Sequence, residues 1–154
     1  MNFSIIQTNC QNSDFIKFCK LLNDFQNTLI PERVKFGFDS VDGVEVADVF
    51  LAYDGEKPIG CAALRCYKNQ IGELIRVYID ENYRGHRVAE ALCKEIEKLA
   101  KEKGYKTIVL DTWTRSEAAL RLYNRLGYKK TNEYQTEEGD ALPDLIVIMK
   151  KDLI

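Results

Sequence analysis

The chain is 154 residues long with a formal net charge of −2, which suits one domain of ordinary size, burying roughly two-thirds of its unfolded surface. Hydrophobic residues make up 45% and charged residues 30%, the profile of a soluble globular protein with no general attraction for nucleic acid or an anionic membrane. The longest apolar runs fall far short of the roughly 20 residues of a membrane helix, and Met1 to Cys10 lacks a signal-peptide pattern.

Phe3 to Gln7 reads as a first strand. Ser13 or Asp14 can cap a helix whose apolar positions Phe15, Phe18, Leu21, Leu22 and Phe25 recur at close to helical spacing. Across Thr28–Val44, Pro31 opens a short helix and Gly37 to Gly43 reads as a loop. Val46–Tyr53 and Pro58–Tyr67 are strand-like, joined by the hairpin turn Asp54-Gly55-Glu56-Lys57, and Ile71–Ile79 follows the turn at Lys68-Asn69-Gln70. These three strands predict an antiparallel meander.

Val88, Leu92, Ile96 and Leu99 then mark an amphipathic helix running to about Lys103, with Gly104 at its C-terminus and a strand over Thr107–Asp111. Strand, helix, strand at these lengths is a βαβ unit, which makes its two strands parallel. A second helix from about Ser116 carries Ala119, Leu122, Tyr123 and Leu126 on one face and ends at Gly127. Tyr128–Tyr134 and Leu145–Lys150 are the last strands, joined by the acidic loop Thr136–Asp144. The fold class is an α/β domain with one mixed sheet, antiparallel at its two ends and parallel in the middle.

Cys10, Cys19, Cys61, Cys66 and Cys93 are odd in number and form no CxxC pair, and His86 is the single histidine. No metal site is expected, and the thiols read as reduced groups of a cytoplasmic protein. Cys61, Cys66 and Cys93 fall on core patterns and read as small apolar fillers.

Chemistry concentrates first at Tyr83-Arg84-Gly85-His86-Arg87-Val88-Ala89, where a strand passes into a helix. The first amides of a helix lack internal partners and carry the positive end of its dipole, which suits a phosphate or pyrophosphate. Arg84, Arg87 and His86 add cationic character, while Gly85 and Ala89 leave the backbone approachable. The loop matches neither the P-loop nor the GxGxxG pattern. Its plainer reading is a tight turn with solvated arginines.

Two stretches, Glu73-Leu-Ile-Arg-Val-Tyr-Ile79 with Tyr83-Arg-Gly-His-Arg-Val-Ala-Glu-Ala-Leu92, and Leu110 to Tyr128, resemble the GNAT acetyltransferase superfamily. Arg84 and Ala89 match the ends of that family's Arg/Gln-x-x-Gly-x-Gly/Ala loop, and Arg87 stands where it usually has Gly. Arginine would strain a backbone that needs positive φ there, and the reading adopted is that the first helical turn accommodates it. In the second stretch Ala119, Leu122, Tyr123, Gly127 and Tyr128 match, and Ser116 replaces the usual Asn.

The resemblance implies a single N-acetyltransferase domain over residues 1–154, with a mostly antiparallel seven-stranded sheet whose parallel central strands splay to hold acyl-CoA. It implies acetyl-CoA as acyl-donor substrate, its pyrophosphate on the amides of Gly85, His86, Arg87, Val88 and Ala89, and its pantetheine arm along Val77, Tyr78 and Ile79. The amide of Val77 would polarise the thioester carbonyl. Ser116 and Tyr123 would complete the donor site.

Tyr123 is the implied general acid toward the leaving thiolate, although its place on the apolar stripe also suits core packing. Glu73 is the implied general base, against the plainer reading of a solvated strand residue; Asp111 is an alternative acid or base, or a cap. His86 reads as a solvated turn residue, and Trp113 as packing or as a wall of an acceptor pocket. The implied reaction is acetyl transfer to a primary amine of a small molecule, with a protein or peptide amine as the sister reading. The acidic stretches Asp39–Asp48 and Glu137–Asp144 would favour a cationic acceptor, and the last strands suit a homodimer by analogy. The rival reading from another class is a non-catalytic acyl-CoA sensor, carried by the departures at Arg87 and Ser116.

Overall fold

The computed structural model describes residues 1–28, 47–136, 139–140 and 142–154. In chain order it runs β1 (Ser4–Asn9), α1 (Ser13–Asn27), β2 (Asp48–Asp54), β3 (Lys57–Lys68), β4 (Ile71–Ile79), a 3-10 turn at Glu81–Tyr83, α2 (Val88–Glu102), β5 (Thr107–Trp113), α3 (Glu117–Arg125), β6 (Lys129–Lys130) and β7 (Ile146–Asp152). Among the described residues the strands form one seven-stranded sheet in the order β1-β2-β3-β4-β5-β7-β6. All neighbours pair antiparallel except β4 and β5, which pair parallel, so the expected mixed architecture is what the chain adopts.

The sheet is covered on both faces, which explains why β2 reads as a continuous apolar run and not as a clean alternation. Val49 and Leu51 join Phe15, Phe18 and Cys19 of α1 on one face. Phe50 and Ala52 face the other way, into the larger core with Leu92, Cys93 and Ile96 of α2. Leu92 and Ile96 are completely buried, each contributing about 1.5–3 kcal/mol to the fold. Both later helices end in a left-handed glycine. Gly104 has φ 85° with Tyr105 N–H donating to Ala100 O at 2.9 Å, and Gly127 has φ 96° with Tyr128 N–H donating to Tyr123 O at 2.9 Å.

Several expectations are corrected. Asn12, not Ser13 or Asp14, caps α1, its Oδ1 accepting from the amides of Asp14 and Phe15 at 2.9 and 3.2 Å. Asp14 is instead used by Tyr53, whose hydroxyl donates to it at 2.7 Å. The strand expected over Tyr128–Tyr134 shrinks to Lys129–Lys130: Thr131 N–H still donates to Ile148 O in register with β7, but the chain then bends at Asn132 and Glu133, where Glu133 N–H turns back to Thr131 Oγ1. Cys66 is exposed, not a core filler, whereas Cys61 and Cys93 are buried as expected. Within the loops expected to shape an acceptor pocket, residues 29–46, 137–138 and 141 lie outside the described residues.

The feature that positions a site is in β4. Its register against β3 passes from Cys61↔Tyr78 to Ala63↔Ile75, so Arg76 and Val77 stand opposite one residue, and Arg76 has φ 55°. Such a bulge bends its strand. On its other side β4 pairs with β5 only over Ile71–Glu73 and Thr107–Val109. Beyond that point the two parallel strands separate.

Candidate active site

The splay opens two cavities that share a wall made by Leu22, Phe25, Val77, Ser116, Ala119 and Tyr123. The first, of about 570 Å³, runs along Val77–Ile79 to the turn into α2 and is closed by α3. The second, of about 650 Å³, lies toward the other side, between Arg65, Tyr67 and Glu73 and the end of β5 with Asp111, Thr112 and Trp113. The sequence-predicted residues therefore fall into two groups joined at Tyr123.

On the first side, Arg84, Gly85, Arg87, Val88 and Ala89 line the cavity together with Val77, Tyr78 and Ile79. Gly85 has φ 85°, and a Cβ there would meet nothing within 4 Å, so the backbone is open to a ligand. Arg87 is the N-cap residue of α2, not part of its first turn, and it lies in the left-handed region at φ 62°, ψ 24°. The expectation that helical backbone would accommodate this side chain is thus corrected: the position does require positive φ, and an arginine meets the requirement. No side chain caps α2, which leaves its first amides and dipole to the cavity.

Arg84 braces the connection. Its Nε donates to Ile79 O at 3.1 Å and its guanidinium stands 5.7 Å from the centre of the Tyr78 ring. His86 is exposed and is not among the residues lining either cavity. Glu90 also lines this side, with Oε2 3.4 Å from Arg87 and Oε1 3.7 Å from Lys94. It went unremarked in the sequence because a glutamate in a first helical turn reads as ordinary dipole complement.

On the second side, Glu73 is only 7% exposed, and its Oε1 receives Arg65 Nε at 2.8 Å. The two residues stand directly opposite on β3 and β4. Glu73 is thus a buried carboxylate oriented by a charge-assisted bond, not a solvated strand residue. Asp111 lines the same cavity, as does Trp113, which packs with Leu142 and Ile146. The Arg76 side chain, projected from the bulge, donates from Nη1 to Asn23 Oδ1 at 2.5 Å and ties β4 to α1. Arg65, Tyr67 and the α1 residues Leu22 and Phe25 were not anticipated as site residues. The Arg65–Glu73 pair becomes visible only once the β3–β4 register is known.

Tyr123 sits on the shared wall, 7% exposed, with its ring 5.8 Å from Tyr128 at 67°. Burial pushes its hydroxyl far above the ordinary tyrosine range, with Cys93 and Asp111 adding to the effect. A phenol in that condition keeps its proton through the neutral range and can serve there as an acid but not as a base. Among the described residues no cluster of three or more His, Cys, Asp or Glu is disposed to hold a metal ion. No helix there is long and apolar enough to cross a membrane.

Comparison with known proteins agrees with this architecture. The sequence profile of the Acetyltransferase (GNAT) family matches residues 21–128. The mouse protein N-acetyltransferase 8B is 30% identical over 96 residues, covering 59% of this chain and 41% of that protein. The chain therefore spans less than half the length of such curated relatives. Among solved structures, a Klebsiella pneumoniae protein described as a candidate acyl-CoA N-acyltransferase superposes with a TM-score of 0.78 at 25% identity, over 99% of this chain and 98% of that one. A GNAT family acetyltransferase of Elizabethkingia anophelis, solved with acetyl-CoA bound, has a TM-score of 0.71 at 18% identity, covering 99% of both chains. The chain belongs to the acetyltransferase (GNAT) family.

Proposed function

We propose that the protein transfers an acetyl group from acetyl-CoA to a primary amine of a small molecule or peptide, by direct attack in a ternary complex. The observation that carries this reading is the place of Tyr123: a buried neutral phenol on the wall shared by two cavities, one suited to a donor and one to an acceptor. The first cavity combines an open strand edge at Val77–Ile79 with an uncapped helix N-terminus and two arginines. Those features suit an extended amide-bearing arm that ends in a pyrophosphate. Related folds solved with acetyl-CoA support the same choice of donor.

In this scheme Glu73 takes a proton from the acceptor ammonium, and the free amine attacks the thioester carbonyl. The amide of Val77, at the bulge, stabilises the developing oxyanion. Collapse breaks the carbon–sulfur bond, Tyr123 gives its proton to the departing thiolate, and the proton that the acylated nitrogen then sheds restores the phenol. The Arg65 bond fixes one oxygen of Glu73 and so holds the carboxylate in place as it takes up and releases the proton.

The test is a thiol-release assay over a panel of amines with calorimetric titration of acetyl-CoA. Tyr123→Phe keeps the ring and its packing, and should lower kcat at least about tenfold while leaving acetyl-CoA affinity unchanged. An unaffected rate removes Tyr123 as the acid. Binding of acetyl-CoA by the unmodified protein with no transfer to any amine would favour the acyl-CoA sensor instead.

A further inference from the structure

One wall of the acceptor cavity is held by a side chain where a strand would be expected. The chain leaves the sheet after Thr131, whose N–H donates to Ile148 O of β7 at 3.0 Å, and Glu133 N–H then donates to Thr131 Oγ1 at 3.1 Å. Gln135 and Thr136 then line the same cavity as Glu73. Their backbone needs partners, as every peptide group does. For Gln135 both come from one hydroxyl. Gln135 N–H donates to Tyr67 Oη at 3.1 Å, and the Tyr67 hydroxyl donates to Gln135 O at 2.8 Å. The Tyr134 ring stands edge-on to the Tyr67 ring at 5.7 Å and 86°. One phenol thus stands in for an adjacent strand.

Tyr67 lies two residues beyond Arg65 on β3, at the register shift between Cys66 and Lys68, and lines the same cavity as Arg65, the partner of Glu73. The latch and the partner of the carboxylate are thus carried by one strand. The first cavity is lined by neither Tyr67, Gln135 nor Thr136. The latch is therefore separated from the donor side and from the shared wall.

We propose that Tyr67 is a positioning residue of the acceptor site: its hydroxyl holds residues 134–136 as a preformed wall over the Arg65–Glu73 pair and thereby sets acceptor affinity. The inference rests on the transferase reading above. A wall already ordered before binding spares the acceptor the entropy of ordering it. Loss of the latch weakens ground state and transition state alike, which raises KM and leaves kcat in place.

Tyr67→Phe keeps the ring contact and removes both hydrogen bonds. Kinetics with an amine that the unmodified protein acetylates, calorimetry with acetyl-CoA, and hydrogen exchange of the 131–136 segment are measured on both proteins. The expected result is an acceptor KM raised about fivefold to tenfold, the scale of one or two net hydrogen bonds. Exchange in 131–136 speeds up, while kcat and acetyl-CoA affinity stay within about twofold, the latter also showing that the variant is folded. An unchanged KM overturns the proposal whether or not exchange speeds up, because the latch is then structural at most. A fall in kcat at unchanged KM overturns it too, placing Tyr67 in the chemical step. Absence of transfer in the unmodified protein would instead overturn the transferase reading and this inference with it.

Discussion

Replacing Arg87 with glycine should make the protein more stable and its donor binding weaker. Arg87 lies at φ 62°, ψ 24°, a region that is unfavourable for an L-residue by about 1–2 kcal/mol. Glycine relieves that strain but loses about 0.5–1 kcal/mol in backbone entropy on folding. The side chain offers little to set against it. It is 78% exposed, and its bond to Glu90 is 3.4 Å long, so the pair contributes a few tenths of a kcal/mol at most. The net gain is about 0.5–1 kcal/mol, which raises Tm by about 1–4 °C in a chain of this size.

Arg87 also lines the donor cavity. Removal of a cation that meets a phosphate should weaken acetyl-CoA binding by about 1.5–3 kcal/mol, roughly tenfold or more. Thermal unfolding without ligand and calorimetric titration with acetyl-CoA test the two halves separately. A lower Tm would refute the strain argument. A higher Tm with unchanged affinity would leave the strain real and show that it serves no phosphate contact. Opposite movements would identify Arg87 as a strained residue retained for a ligand.

Gly60→Ala should destabilise by about 1–3 kcal/mol, measured by urea unfolding, because a Cβ there would come within 2.6 Å of Ile79 Cδ1 and 3.1 Å of Tyr78 O. Both neighbours line the donor cavity, so acetyl-CoA affinity should fall with stability; an unaltered urea midpoint would show that β3 and β4 give way freely. Alkaline pH should also unfold the protein. Burial, with Glu97 and Glu90, pushes the Cys93 thiol from 9.0 to about 12, and burial raises the Tyr123 and Tyr128 hydroxyls as well. Each group ionises more readily in the unfolded chain. The stabilising contribution of Cys93 is thus complete below about pH 9 and lost as pH rises toward its folded value, with the tyrosines following above about pH 10. A urea midpoint as high at about pH 10.5 as at about pH 8 would contradict this.

Much of the architecture is local and was therefore legible in the chain. The spacing of Val88, Leu92 and Ile96, the terminating glycines Gly104 and Gly127, and the Asp54–Lys57 turn each depend on backbone preferences within a few residues. The parallel pairing of β4 and β5 followed from the length of the connection between them. The cap of α1 falls one or two residues before the expected Ser13 or Asp14 because Asn12, Ser13 and Asp14 can all accept from helix amides, and only the path of the chain out of β1 selects one. The strand over Tyr128–Tyr134 ends early because the chain bends at Asn132 and Glu133, where the Thr131 hydroxyl takes the Glu133 amide, and residue propensity does not reveal that bend.

The sequence by itself determined the order of the elements, the strand-to-helix turn with its arginines and, through its resemblance to the family, the candidacy of Tyr123 and Glu73. Tertiary structure decided what those residues do to one another. The bulge at Arg76 is a register event between β3 and β4, and the end of the β4–β5 pairing at Glu73 is likewise a matter of how the strands meet. Glu73 became a buried, oriented carboxylate because Arg65 lies across from it, eight residues away along the chain but adjacent in the sheet. The latch from Tyr67 to Gln135 spans 68 residues. Periodicity records which face of an element is buried, but contacts of that range depend on register and on the closure of the whole sheet.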